Sequence, residues 1–494
     1  MSTAEEPEPS DTSGAKIGLA ALCANWFKEV GLQGEAGELA GMLQQDYGRM
    51  VSFLQDSFGQ VVAPGIISTV ADARRAAVAF REARVAALLL VHIMWSEDPP
   101  LIALLEGCRG LSPIAPDWIG GIGGLPILLW NYHPCGSLPQ RLSVNDLFRL
   151  SGTVGLLQGS APLQRLGIKP PIVFGTPGDS SLTQTLREYA QALLIRREFQ
   201  GMSAGRIAGR CEAMTGTFVD ENALRERLGV RLVEVSAAEY AAACASVGGG
   251  RVDAHYADLI ARFPVVGVSE PSLRLACRNA LALDDLVLKH DLHALAIQDL
   301  DPELHRLAGI RPCLCPPLSA QRGVALSMEG DLNTALGMLA TMRASSSPCM
   351  YTEVFTFDPE ENILLMGHAA AHDPRLAGAK GVTIVPDAEY RHSDQLEGAW
   401  QEFILAQGPV TCVSLYDTGQ GYRLTAFEGS SLGGPRRVEG FAHAVVRPAV
   451  PVSELLPRLV RRGMTQHFAI APGHVSGILA KWCALSGTEF HLEE

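Results

Sequence analysis

The chain has 494 residues, of which 47% are hydrophobic, and carries a formal net charge of −13. The length predicts roughly three domains, and the hydrophobic fraction predicts filled cores rather than disorder. The acidic balance excludes a non-specific nucleic-acid binder, which needs clustered Lys and Arg. Because no uncharged apolar run reaches about 18 residues, we expect no membrane segment.

The first 16 residues are acidic and polar and lack the basic and apolar regions of a secretory signal. We expect residues 1–16 to form a disordered tail. The eleven cysteines are scattered, and only Cys313 and Cys315 lie close together in sequence. This usage predicts reduced, mostly buried thiols and a cytoplasmic protein.

Residues 17–168 read as an N-terminal α/β domain. A helix is predicted over residues 71–87, a buried strand over 86–95 and another strand over 125–130. This alternation favours a parallel sheet with helical crossovers. Residues 95–100 are expected to form a loop at the carboxyl end of a strand, where α/β sheets usually contact ligands. His133 follows the next strand. Either it contacts a substrate or, as is more common for a lone histidine, it is structural.

Residues 169–318 read as a central α/β domain. Residues 170–174 are expected to open this second unit, followed by a helix over 182–198 and a stretch poor in strands over 201–217. A long helix over 271–290 leads into a strand over 294–297. The proline-rich segment 312–317 marks the end of the domain.

Beyond residue 318 the pattern changes. Strands are predicted over 381–385, 410–416 and 422–427 without long helices between them, which indicates an antiparallel sheet in residues 319–494. The predicted fold class is therefore α/β, with two Rossmann-like α/β lobes followed by an antiparallel, β-rich and barrel-like C-terminal domain.

Residues 328–371 hold the most suggestive chemistry. Glu329 and Glu353 are 24 residues apart, and His368 follows 15 residues later. Acids and an imidazole at the ends of buried elements can converge on one metal ion or one proton-transfer site. In the alternative interpretation, Glu329 caps the following helix and His368 is a satisfied core histidine.

Several motifs resemble the L-fucose/L-arabinose isomerase family. They are Glu-Gly-Asp at 329–331, the acidic strand around Glu353, Gly-His at 367–368 and Gln-His-Phe at 466–468. The segments 408–411 and 421–424 resemble its barrel strands. By this resemblance the chain is identified as a distant member. The resemblance covers nearly the whole folded chain and is clearest from about residue 125 to the C-terminus.

The resemblance implies a divalent metal site, usually Mn²⁺, held by Glu329, Glu353, His467 and His368. It also implies an aldose–ketose isomerase in which Glu329 and Glu353 divide the acid and base roles through a cis-enediol. The substrate would be a monosaccharide, and the assembly a homo-oligomer, a hexamer by family resemblance.

Two departures concern the sugar. Gln466 stands where the arabinose isomerases carry a histidine, and residues 149–155 lack the histidine of their N-terminal lobe. We therefore expect a sugar other than L-arabinose, and L-fucose is not favoured. Four further residues could reach the pocket but are expected to lie on a solvated loop: His372, Asp373, His392 and Glu397.

Two other functions are consistent with the sequence. A non-catalytic sugar-binding or regulatory relative would keep the lobes without turnover. A metal-dependent epimerase or lyase would use the same enediol chemistry. The leading hypothesis remains an isomerase acting on a pentose, 6-deoxyhexose or modified hexose.

Overall fold

The computed structural model of the chain describes residues 14–25, 36–109, 121–122, 125–390 and 397–494. The chain divides into two compact units. The N-terminal unit comprises residues 1–197 and 484–487, and the C-terminal unit comprises residues 198–483 and 488–494. The domain limits 17–168, 169–318 and 319–494 remain a prediction.

The N-terminal unit is built on a mainly parallel sheet in the order β2-β1-β4-β6-β5, with β3 on β1 and β7 on β6. Its central strands are uninterrupted apolar runs because helices cover both faces of such a sheet. The strands are β1 (Ile17–Leu22), β2 (Val61–Val62), β3 (Ile66–Ile67), β4 (Ala87–His92), β5 (Gly121–Ile122), β6 (Leu125–Tyr132) and β7 (Ile172–Gly175).

Helices connect these strands, and local capping fixes where several of them begin. Thr69 and Asp72 form a reciprocal capping box at the start of the second helix. The helices up to residue 199 are α1 (Ala36–Phe58), α2 (Val70–Glu82), α3 (Asp98–Cys108), α4 (Val144–Arg149), α5 (Gly152–Arg165) and α6 (Ser180–Phe199).

The C-terminal unit begins with a parallel sheet in the order β11-β10-β8-β9. Its strands are β8 (Ser203–Ile207), β9 (Arg231–Val235), β10 (Leu292–Ile297) and β11 (Ala325–Ser327). The helices around it are α7 (Glu221–Leu228), α8 (Ala237–Ser246), α9 (Gly249–Arg262), α10 (Glu270–His290), α11 (Pro302–Ala308), α12 (Pro317–Arg322) and α13 (Leu332–Ser345).

The same unit continues into a closed antiparallel barrel of six strands, in the order β16-β19-β12-β13-β18-β17, with β16 pairing β17. Met350, Phe427 and Ile470 belong to the buried core on this sheet. The remaining elements are β12 (Met350–Asp358), β13 (Ile363–Gly367), β14 (Thr383–Pro386), β15 (Ala399–Glu402), β16 (Gly408–Asp417), β17 (Tyr422–Ser431), β18 (His443–Pro448), α14 (Val452–Arg462), β19 (His467–Pro472), α15 (Ser476–Ser486) and β20 (Glu489–Leu492).

The predicted fold class is confirmed, with parallel α/β sheets followed by an antiparallel barrel. The cysteines are free thiols, and all except Cys135 are buried, as predicted. Among the described residues no helix is long and apolar enough to cross a membrane.

Three local predictions are wrong. The strand predicted over 170–174 is present as β7, but it pairs with β6 in the first sheet and does not open a second one. The stretch 201–217 contains β8, which is buried through small residues such as Gly205 that carry little strand propensity. The loop predicted over 95–100 becomes helical at Asp98, because Pro99 and Pro100 occupy the first turn, where no backbone donor is needed.

Candidate metal centre

The site begins at the carboxyl edge of the parallel sheet in the C-terminal unit. Strand β11 ends at Ser327, and Glu329 follows two residues later. Glu329 and Gly330 both have left-handed backbone conformations, with φ of 60° and 65°. A glutamate rarely adopts this conformation because its Cβ crowds the backbone. Strain of this kind concentrates at functional sites.

Neighbouring strands hold this strained corner in place. The Glu329 backbone N–H donates to Asp299 Oδ1 at 2.7 Å, just beyond the end of β10. The Gly330 N–H donates to the Ile297 carbonyl at 2.9 Å, and the Cys211 N–H donates to the Glu329 carbonyl at 3.1 Å. The direction of the Glu329 side chain is therefore fixed by its backbone.

His467 approaches the corner from the first position of β19 and is fully buried. Its Nδ1 lies 2.7 Å from Asp331 Oδ2. Asp331 also caps α13, accepting from the Thr334 backbone N–H at 3.0 Å. This carboxylate orients the imidazole, since a hydrogen bond at one ring nitrogen leaves the other for a ligand.

His368 follows β13 directly and is also buried. Its Nδ1 lies 3.2 Å from the Ala369 carbonyl, so Nε2 is the nitrogen left facing the site. The buried ring of Tyr351 packs against both histidines, with centroid distances of 4.7 Å to His368 and 4.8 Å to His467. The aromatic ring therefore fixes the two imidazoles relative to each other.

The three side chains form one buried group. Glu329, His368 and His467 each offer a ligand atom, and these atoms all lie within 4.8 Å of one another. Glu329 Oε1 is 3.7 Å from His368 Nε2, and Glu329 Oε2 is 2.8 Å from His467 Nε2.

This group fits a divalent cation. Glu329 Oε2 and His467 Nε2 are both buried, yet among the described residues neither completes a well-oriented hydrogen bond. Two ligands bound at right angles, each about 2.1 Å from a cation, lie about 3 Å apart. A carboxylate and two imidazoles without thiolates suit a borderline to hard divalent ion. A buried Glu/His/His group is thus available for a metal ion.

The charges of the group are tightly coupled. Burial alone would lower the pKa of His467, but Asp331 and Glu329 outweigh it and raise the pKa to about 9. Burial would raise the pKa of Glu329, but His467 and His368 lower it. Without a cation, an imidazolium at His467 is therefore held between two carboxylates.

Glu353, predicted as a ligand and catalytic acid or base, lies beside this group. In the barrel it pairs with His467 on one side and with Gly367 on the other. It is half-buried. Among the described residues, it is not part of the set within 4.8 Å that joins Glu329 to the histidines. Its role remains a prediction.

The residues that support Glu329 were not predicted from the sequence. Asp299 is fully buried and accepts from Arg311 Nε at 2.7 Å. Arg311, 1% exposed, also pairs with Glu389. A carboxylate two residues after a buried parallel strand was the available signal for Asp299. No sequence signal identifies its arginine partner.

Four other predicted residues lie in the described parts of the chain. His372 and Asp373 are buried, so their predicted solvated loop is wrong. His372 is fixed through the His368 carbonyl, 3.1 Å from Nε2, and burial lowers the pKa of His372 to about 4. His133 Nδ1 contacts the carbonyl of Cys135, two residues later in the chain, as a structural residue would. Glu397 is half-buried, and His392 lies outside the described residues.

The chain is similar at low sequence identity to known proteins that share one name. No protein-family model matches the chain. It is 21% identical over 354 residues to a protein named sulfoquinovose isomerase from Alkalicoccus urumqiensis, covering 71% of this chain and 77% of that protein. It is 22% identical over 360 residues to proteins of the same name from Priestia aryabhattai and Priestia megaterium, covering 71% of this chain and 76% of each. The chain is thus a distant relative of sugar isomerases.

Proposed function

We propose that this protein is a metal-dependent aldose–ketose isomerase and that Glu329, His368 and His467 hold its divalent ion, with Mn²⁺ favoured. The buried group that these residues form carries the proposal. The names of the distant relatives support a monosaccharide substrate and make sulfoquinovose the first sugar to test.

A divalent ion bound here would supply a Lewis acid that polarises the carbonyl of an open-chain sugar. The chain would supply the proton transfers. Both oxygens of Glu329 face imidazole nitrogens, which suits a ligand role. Glu353 lies beside His467 in the barrel but outside this group, so we assign Glu353 the role of catalytic base.

In this scheme Glu353 removes the proton from C2 of the aldose. The hydroxyl proton on O2 moves to O1 by way of the resulting cis-enediol, and Glu353 returns its proton to C1. No redox cofactor is needed, because the oxidation of C2 balances the reduction of C1. Tyr351 excludes water beside the two histidines, since its ring packs on both and is fully buried.

The test combines metal analysis with product analysis. Purified protein loaded with Mn²⁺ should retain about one ion per chain by elemental analysis, and Glu329→Gln and His467→Gln should lose it. Glu353→Gln should retain the ion and lose roughly 10²- to 10⁴-fold in kcat, the usual contribution of a positioned acid or base. Glu428→Gln, outside the group, serves as the matched control.

Nuclear magnetic resonance of the product in D₂O separates the alternatives. An isomerase working through an enediol incorporates solvent deuterium into the ketose, whereas an epimerase or lyase gives a different product. Protein that binds no Mn²⁺ and converts no sugar in a panel containing sulfoquinovose would overturn the proposal. Sugar binding that survives chelation without turnover would instead support a regulatory relative.

We also infer a homo-oligomer, and a hexamer by the family resemblance. The N-terminal unit exposes large apolar side chains at the edge strand β7, where Phe174 is 72% and Ile172 is 63% exposed. Leu157 on α5 is similarly exposed. Burial of such side chains is a common driving force for association. Light scattering coupled to size-exclusion chromatography measures the mass directly, and a monomer at micromolar concentration would contradict the inference.

A further inference from the structure

A loop at the end of β8 packs directly against the candidate metal centre. We call residues 208–218 the 208–218 loop. Its first two residues, Ala208 and Gly209, have φ of 61° and 80°, so the loop opens on a strained left-handed turn like that at Glu329. A Cβ added at Gly330 would lie 2.4 Å from the Gly209 carbonyl oxygen and 2.7 Å from Arg210 Cα. The loop backbone and the corner that carries Glu329 are therefore in direct contact.

The same loop extends to the other side of the site. Asn333 on α13 donates to the Phe218 carbonyl at 3.0 Å. The Gln466 side chain, next to His467, contacts Met214 Sδ at 3.1 Å. The 208–218 loop thus touches the segments that carry Glu329 and His467. It lies at the carboxyl edge of a parallel sheet, where such folds bind ligands.

Arg210 is the arginine of this loop, and its backbone lies against Gly330 beside the candidate metal ligand. Its guanidinium donates to the neighbouring Cys211 carbonyl at 3.1 Å, and no carboxylate among the described residues pairs with it. Other arginines of the same sheet region are engaged. Arg206 on β8 pairs with Glu234, and Arg311 pairs with Asp299. A half-buried guanidinium keeps several donors for a planar or tetrahedral oxyanion.

The charges around the site explain why such a cation matters. Glu329, Asp331 and Asp299 place three buried carboxylates close together. Arg311 pairs with Asp299, and His467 or the proposed ion balances the other two carboxylates. No charge at the centre is left over for the far end of an anionic sugar, so a cation at the rim has to pair with it. An open-chain hexose is about 6–7 Å long, as expected from carbon–carbon bonds of about 1.5 Å. A charged group at C6 can therefore lie at the rim of the site while C1 and C2 lie at its centre.

We propose that Arg210 binds a tetrahedral oxyanion, a sulfonate or a phosphate, at the far end of the sugar, and thereby selects an anionic monosaccharide. This inference rests on the proposed isomerase function. It names the class of substrate and the residue that distinguishes it from a neutral sugar.

The test compares sugars that differ only at C6. Sulfoquinovose carries a sulfonate there, glucose 6-phosphate a phosphate, and 6-deoxyglucose neither. In Arg210→Gln, the ratio of kcat/KM for the anionic sugar to that for 6-deoxyglucose should fall roughly 10- to 100-fold, as expected for loss of a charged hydrogen bond. The fall should appear mainly in KM, and Arg210→Lys should restore part of it. The two anionic sugars show which oxyanion the site prefers.

Arg206→Gln is the matched control because it removes an arginine of the adjoining strand that is already paired with Glu234. Its selectivity ratio should equal that of the wild type. An unchanged ratio in Arg210→Gln, or an equal loss on charged and neutral sugars, overturns the inference.

Failure of the isomerase proposal is separable from failure of this one. If no sugar is converted, calorimetric titration with sulfoquinovose still measures binding. Binding that Arg210→Gln weakens at least tenfold supports the subsite, and binding that it leaves unchanged overturns it. Denaturant unfolding of each variant identifies a folding defect, in which case Arg210→Lys supplies the comparison.

Discussion

The Glu329 backbone N–H donates a 2.7 Å hydrogen bond to the buried carboxylate of Asp299. Asp299 in turn binds Arg311, whose guanidinium stacks on the Tyr390 ring at 4.9 Å. The conformation of the candidate metal ligand therefore depends on a buried ion pair that contacts its backbone and supplies no ligand atom to the metal group.

Asp299→Asn should destabilise the protein and weaken Mn²⁺ binding together. Breaking a buried ion pair on one side leaves an uncompensated charge and costs about 3–5 kcal/mol, of which we expect the lower end because Arg311 keeps Glu389. Denaturant unfolding and Mn²⁺ titration measure the two effects. Glu389→Gln is the control: its 43% exposed side chain should contribute less than about 1 kcal/mol. Equal effects from the two variants would contradict this arrangement.

Asp331→Asn should separate metal affinity from folding. Asparagine is as good an N-cap as aspartate, so helix α13 should keep its start. The negative charge that orients His467 would be lost, which typically reduces metal affinity by about 10- to 100-fold. Competition with a fluorescent chelator measures that affinity, and far-ultraviolet circular dichroism checks that the helix is kept. Wild-type affinity in Asp331→Asn would show that this carboxylate does not serve the metal group.

Acid should destabilise the N-terminal unit through His92. Burial lowers the pKa of His92 from 6.5 to about 4. As pH falls from 6.5 to 4, His92 becomes protonated in the unfolded chain but stays neutral in the folded chain. The free energy of unfolding is therefore highest above pH 6.5 and decreases through this window. At about 1.4 kcal/mol per pH unit, the full loss is about 3 kcal/mol. Unfolding free energies of wild type and His92→Gln between pH 7 and pH 4 should diverge by this amount, and parallel curves would refute the assignment.

Gly152→Ala should destabilise the same unit for a steric reason. A Cβ at Gly152 would lie 2.4 Å from the His92 carbonyl oxygen, a backbone atom that cannot move alone. Overpacking of this kind costs about 1–3 kcal/mol. Gly41→Ala in helix α1 is the matched control because nothing lies within 4 Å of its added Cβ. Alanine should stabilise that helix by about 0.5–1 kcal/mol. Thermal unfolding should therefore show a lower midpoint for Gly152→Ala and a higher midpoint for Gly41→Ala than for the wild type.

The sequence predicts the types of element more reliably than their partners. The alternation of strands and helices in the first part of the chain predicts a parallel sheet, and the strands without long helices between them after residue 380 predict an antiparallel one, as found. The convergence of Glu329 with His368 and His467 rested on a family resemblance, because strand pairing over more than a hundred residues leaves no local trace.

Other features of the site leave still less trace in sequence. Strand β8 is buried through Ser, Ala and Gly, so its composition resembles a loop. The left-handed conformation of Glu329 follows from the packing of its neighbours, and the residue type at this position does not predict it. Buried carboxylates such as Asp299 are paired by tertiary structure alone.

The left-handed backbone at Glu329 carries a conformational cost at a position where the candidate metal centre needs a carboxylate. Glycine adopts φ of 60° freely, whereas glutamate does so at a cost of about 1–2 kcal/mol. Glu329→Gly would relieve this strain but would also break the buried pair that Glu329 forms with His467, which costs about 3–5 kcal/mol. The charge pairing that the site requires therefore retains the strained backbone at this position. Engineering of this protein for durability has to hold Glu329 fixed and find its gains elsewhere.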